Sequence, residues 1–194
     1  MSLVDRAKNI ITSPKTEWEV ISNEPADIGS ILTGYVIPMA LLPAVASFIG
    51  YGIIGVGPFS SITAGIAYAL LSLLSTILGV VITAFVVNLL ATGFDSVKDT
   101  GKAMQLVAYA YTPAWVGGIL NIYPPLMIIG GLFGLYGIYL MYLGFPHMMQ
   151  TPKEKVVVYM IVTVVVLFVV YLVIGGILST IIFSIFGLSM LSMM

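Results

Sequence analysis

The sequence predicts an all-α integral membrane protein: a five-span transmembrane helical bundle with an N-terminal amphipathic cytoplasmic segment. Three observations lead there. The 194 residues are 60% hydrophobic and only 8% charged, against about 25% charged in soluble domains, so no water-facing shell can be assembled. The apolar runs far exceed the ~10 residues of a barrel strand, which selects helices. The charges fall only in the N-terminal segment and in two loops, 95–102 and 146–155.

Taken in order, residues 1–27 form the amphipathic segment. In SLVDRAKNIIT, Leu3, Val4, Ala7, Ile10 and Ile11 share one helical face, with Asp5, Arg6, Lys8 and Asn9 opposite. Ser13-Pro14 gives a cap and a first-turn proline for a second short helix, KTEWEVIS. Both pieces are expected at the membrane surface, with Trp18 at headgroup level; the alternative is a soluble tail packed on the cytosolic loops. The membrane domain covers 28–186, with spans at about 28–54, 62–94, 103–120, 125–145 and 156–186, and 187–194 is a short tail on the far side. Pro38, Pro43 and Pro113 should kink the first and third spans. The last span is longer than the bilayer core, so a tilt or a bend at Gly175-Gly176 is expected.

Five spans place the N-terminus and both charged loops on one side. All seven Lys/Arg and all eight Asp/Glu are then on that side. By the positive-inside rule it is the cytoplasmic side, leaving the C-terminus outside a cell membrane. No apolar core of signal-peptide type precedes the first span, so that span is expected to act as the insertion signal. A net charge of −1 gives no pull toward nucleic acid. The absence of cysteine removes disulfides, thiolate catalysis and zinc–thiolate sites. A single histidine with no serine at a known spacing supplies no nucleophile–base pair, so no catalytic residue and no cofactor is implied.

Several residues could carry chemistry. The span interiors hold no Asp, Glu, Lys, Arg or His at mid-depth, which argues against a proton pump or voltage sensor. Asp95, Asp99 and His147 could hold a divalent metal if the loop continued the second span; the simpler reading is solvated Asp95–Lys98 and Asp99–Lys102 pairs beside an interfacial histidine. Tyr109 and Thr112 on the third span, and Tyr136, Tyr139 and Tyr142 on the fourth, could face each other across a polar cleft, or form an aromatic belt with inter-helix hydrogen bonds. Gly130 and Gly134 form a GxxxG, and Gly117-Gly118 and Gly175-Gly176 add small patches suited to packing within one chain or to a homo-oligomer.

The run YAYTPAWVGGIL at 109–120 resembles the tyrosine-rich, proline-containing third span of the Yip (Ypt/Rab-interacting) membrane proteins. LYGIYLMYLGFPHMMQTPKEKVVVY at 135–159 and SPKTEWEVI at 13–21 resemble the prokaryotic branch of that family. The resemblance covers the whole chain and implies the five-span fold with a cytoplasmic N-terminus. Eukaryotic Yip proteins bind Rab-type GTPases, but their Asp-Leu-Tyr-Gly-Pro motif is absent here, where Asp27-Ile28-Gly29 stands. The resemblance therefore carries over no activity. The function expected is a non-enzymatic adaptor or organiser. It would meet a cytoplasmic protein partner or lipid headgroups through Trp18, Lys98, Lys102, His147, Lys153 and Lys155. The competing expectation is a small channel or transporter whose path lies between the third and fourth spans, lined by hydroxyls and carbonyls.

Overall fold

A computed structural model describes residues 1–55 and 61–187, and the expected tail and part of the turn after the first span lie outside these. Among the described residues the chain is helical throughout, without strands. Helix α1 (Leu3–Thr12) starts where the Ser2 hydroxyl accepts from the Asp5 amide. Helix α2 (Pro14–Ser22) starts on its proline, whose missing N–H costs nothing in a first turn. The two form a short hairpin that turns Ile10, Trp18 and Ile21 inward.

Among the described residues four helices are long and apolar enough to cross a membrane: α3 (Ile28–Ile54), α4 (Ile62–Phe94), α7 (Met127–Met148) and α8 (Lys153–Ile185). The Asp27 side chain accepts from the Ser30 amide and starts α3. Pro38 removes an intrahelical donor, and the backbone answers with a wide π-type turn at Leu32–Val36, followed by another at Phe48–Ile54. Helix α4 begins on a Ser61 cap and tightens into a 3-10 turn at Ala91–Phe94. Helix α8 runs unbroken through Gly175-Gly176. Its 33 residues measure about 50 Å, and tilt or protruding ends must absorb the excess over the bilayer core.

The stretch expected as the third span is built differently from the other four. It divides into α5 (Thr100–Ala110), a joint at Tyr111, α6 (Thr112–Gly117) and a 3-10 turn (Gly118–Ile122). Pro113, at the start of α6, explains the joint, because it has no N–H for the Tyr109 carbonyl. Despite its breaks this stretch is the centre of the molecule, and Ala103 through Ala110 are all buried.

Small residues decide how closely the helices approach. A side chain at Gly117 would lie 2.7 Å from the Gly130 carbonyl oxygen, and one at Gly137 would lie 2.7 Å from that of Ala110. At Gly144 it would collide with Leu106 and Trp18. These contacts step in opposite directions along the two chains, so α5–α6 lies antiparallel to α7 over almost its full length. Gly101 fits against Ala26, and Gly50 against the Asn121 and Ile122 carbonyls. In lipid, where apolar side chains gain little by leaving the solvent, such close backbone contact supplies the packing energy. The outer faces carry exposed large apolar residues, among them Phe85, Leu132, Phe168 and Leu172.

The glycine seam can be tested directly. Gly117→Ala and Gly137→Ala should each lower stability in detergent by about 1–3 kcal/mol through overpacking. Gly131→Ala and Gly134→Ala, whose new methyl groups meet no atom within 4 Å, should stay within about 0.5 kcal/mol of the parent. Equal losses at all four positions in thermal unfolding would refute the seam.

Candidate functional site

All the described charge is drawn to one end of the bundle, where three segments are tied together. The Val97 amide donates to the Met149 carbonyl at 2.8 Å, Ser96 and Thr151 share a hydrogen bond of 2.8 Å, and Lys155 pairs with Asp95. The Lys102 ammonium donates to the carbonyls of Ser22 and Glu24, both at 2.8 Å, which joins the start of α5 to the end of α2. The α1–α2 hairpin is fastened to α7 twice: Trp18 Nε1 donates to the Leu140 carbonyl at 3.0 Å, and the Tyr136 hydroxyl donates to the Ile11 carbonyl at 2.7 Å.

At the heart of this end is a buried ion cluster. Arg6 is only 6% exposed. One of its guanidinium nitrogens lies 2.5 Å from Glu17 Oε1, and the other bonds the Glu24 carboxylate. Its carbon sits 5.2 Å from the Tyr109 ring centroid, a cation–π contact. Gln105 beside it donates to the Pro25 carbonyl at 3.2 Å, while its Oε1 has no partner among the described residues. Asp27, fully exposed, has its carboxyl held below the usual range by hydrogen bonds to the Ser30 side chain and backbone.

The expected partner-facing residues divide into two groups. Trp18 is fully buried against Leu140 and Gly144, so it is not a headgroup anchor, and the hairpin is a docked part of the bundle rather than a lipid-surface helix. The amphipathic pattern holds only in part: Ile10, Trp18 and Ile21 turn inward, but Val4 is 71% exposed, and Arg6 and Glu17, expected on the outer face, are buried. Lys102 and Lys155 are engaged internally. Lys98, His147 and Lys153 are exposed.

The two other expected clusters are separated by the fold. Helix α4 ends at Phe94, and Asp95 takes a left-handed conformation (φ 52°), so Asp95 and Asp99 share no helix face. Asp95 pairs with Lys155, and Asp99 accepts from the Lys102 amide as the cap of α5. Among the described residues no three His, Asp or Glu side chains are grouped to hold a metal ion. The tyrosine cleft does not form either. Tyr109 turns to Arg6 and Tyr35, Thr112 shares a 2.7 Å hydrogen bond with Tyr35, and Tyr136 holds the hairpin. Tyr139 and Tyr142 are 44% and 43% exposed and border an apolar groove between α7 and α8. The third and fourth segments meet backbone to backbone at Gly117–Gly130 and at Gly137–Ala110.

Two functional groupings were not foreseen. The Arg6–Glu17–Glu24 cluster left no local signal, because its members lie 11 and 18 residues apart across a turn. The other is a hydroxyl cluster deep in the spans. Thr83 donates to the Gly79 carbonyl at 2.7 Å and lies 2.9 Å from the Tyr111 hydroxyl and 2.8 Å from that of Tyr171. Tyr171, a lone tyrosine in the aliphatic middle of α8, was the available clue.

The sequence matches the Yip1 domain family over residues 8–175. It is 26% identical over 156 residues to Inner membrane protein YohC of Escherichia coli strain K12, covering 75% of this chain and 80% of that protein. The protein of the same name from Escherichia coli O6:H1 matches to the same extent. No solved structure matches.

The hairpin anchor has an optical readout, because the chain has only two tryptophans. In a Trp115→Phe background Trp18 is the sole emitter and should emit as a buried indole. Adding Arg6→Ala strands Glu17 in the interior, a loss of about 3–5 kcal/mol, and should shift that emission to the red. An unshifted spectrum would mean that the cluster does not hold the hairpin.

Proposed function

This chain belongs to the Yip1 domain family, and from that premise we propose a five-span, non-enzymatic adaptor that recruits a protein partner to its charged, cytoplasmic end. The observation that carries the reading is the docked hairpin. A buried ion cluster, a tryptophan and a tyrosine hydrogen bond hold α1–α2 in one position against α5 and α7. Such fixation presents the charged outer residues as a defined surface. Lys8, Lys15, Lys98, His147 and Lys153 are exposed there, interspersed with Asp5, Glu19, Asp99 and Glu154. Seven basic and eight acidic residues give this end no net positive field. A mixed pattern of that kind suits a complementary protein surface better than an anionic bilayer.

The fifth crossing is supported by how far the broken segment reaches. It meets Ala26, at the start of α3, through Gly101, and the far end of α3 through Asn121 and Ile122. It also follows α7 from Gly130 to Gly144. A segment co-extensive with two membrane-length helices crosses the same thickness. Its breaks are buried in protein, where irregular backbone is tolerated. Self-association through α7 is not part of this reading, since Gly130 and Gly137 already serve contacts within the chain.

Two measurements test the proposal. The natural absence of cysteine permits single-cysteine labelling, in which Val97→Cys and Tyr123→Cys should react from opposite faces of the membrane; reaction from one face would reduce the count to four spans. Photo-crosslinkers placed at positions 19, 98 and 153 in cells should trap one partner that a probe at lipid-facing position 168 does not. Lys98→Glu with Lys153→Glu should abolish that adduct. Adducts that survive the charge reversal would refute the adaptor surface.

A further inference from the structure

Away from the charged end, a cavity of about 460 Å³ lies between α4, α6, α7 and α8. Tyr111 and Tyr171, from the deep hydroxyl cluster, line it, and the α4 wall carries Ser72, Ser75 and Thr76. Ser72 is ten residues into α4, about 15 Å from its start, which is within the hydrocarbon zone. Hydroxyls within the spans ordinarily bond back to their own helix, as Thr33, Thr83 and Thr180 do. Among the described residues no hydrogen-bond partner reaches the hydroxyls of Ser72, Ser75 or Thr76. Unpaired polar groups facing hydrocarbon are costly, so this wall is suited to a ligand that completes them.

The surroundings define the ligand's chemistry. No charged residue lines the cavity, and a buried ion without a counter-ion is excluded on energetic grounds. A side chain at Gly131 or Gly134, on the α7 wall, would meet nothing within 4 Å, so the space beside them is open. Tyr111, Ala114 and Gly134 also border an adjoining slot of about 240 Å³, which continues between α7 and α8 past Ile138, Met141 and Leu167. A polar chamber leading into a largely apolar slot, in which the buried Thr163 hydroxyl has no partner among the described residues, matches an uncharged amphiphile; a water-soluble polyol would leave the slot's apolar walls unused. We propose that this cavity binds the ester-and-hydroxyl end of an uncharged glycerolipid, diacylglycerol in its chemistry, with an acyl chain in the slot. The serine and threonine hydroxyls donate to the ester carbonyls. The site is independent of the partner surface at the charged end.

The test uses the full chain in phosphatidylcholine vesicles containing a diacylglycerol with a diazirine in one acyl chain. Illumination should label residues of the slot, around Met141 and Leu167, and excess unlabelled diacylglycerol should suppress the adduct while phosphatidylglycerol and glycerol do not. The Ser72→Ala, Ser75→Ala, Thr76→Val triple variant should cut labelling roughly tenfold, as expected for the loss of several neutral hydrogen bonds. Gly134→Leu, which fills open space, should abolish it. Thermal unfolding in detergent reports whether each variant is folded, and for an unfolded variant the competition experiment on the parent chain decides alone. Label spread evenly over lipid-facing residues such as Phe168, unchanged labelling in both folded variants, or suppression by glycerol or phosphatidylglycerol would overturn the proposal.

Discussion

The bond between Arg6 and Glu17, completed by Glu24, sets the arrangement of the charged end. Two ions do not enter a protein interior for stability alone, since an apolar pair of similar size often does as well. Their value lies in geometry. A guanidinium has a fixed fork of donors, and here the fork joins α1 to α2 and to the strap that leads into α3. The same guanidinium sits over Tyr109, so the orientation of the hairpin is tied to the most buried helix of the bundle. Lys102 secures that strap from the other side through two main-chain carbonyls.

Toward the middle of the membrane the ionic logic gives way to close contact and hydroxyl pairs. The glycine seam brings a broken helix into backbone contact with an intact one at Gly117–Gly130 and Gly137–Ala110. Between the seam's contacts, hydroxyls on other faces add pairs: Tyr35 with Thr112, and Thr83 with Tyr111 and Tyr171. Each such bond contributes only about 0.6 kcal/mol in a membrane interior. Together they fix rotation about the helix axes, which glycine contacts alone leave free. Small residues set distance, hydroxyls set angle, and the two kinds of contact alternate along α6.

Composition and hydropathy made the helical membrane class, the four long helices and the kink near Pro113 legible, because lipid enforces length and apolarity on a continuous segment. Of the inward residues of α1 and α2, Ile10 and Ile21 were legible from a helical period, while the buried Arg6 and Glu17 were not. What covers the apolar face was not legible either. An amphipathic face reads the same whether it meets lipid or protein, and Trp18 was assigned to headgroups on that ambiguity. The tyrosine cleft failed for a related reason. Spacing on one helix says which residues share a stripe, but the partner of each stripe depends on rotation about the axis, and that is set by contacts distant in sequence. Tyr171 and Arg6 show this most plainly, with every important neighbour on another element.

The hydrogen bond from Trp18 to the Leu140 carbonyl spans 122 residues of chain. Synthesis proceeds at roughly 5–20 residues per second, so the hairpin leaves the ribosome on the order of ten seconds before its docking surface exists. During that interval Ile10, Trp18 and Ile21 have no protein to cover them. A bilayer surface is the natural temporary shelter for such a face, one to which an amphipathic helix binds reversibly. The same pattern of side chains would thus serve two hosts in succession, lipid while the chain is being made and α7 once it is complete.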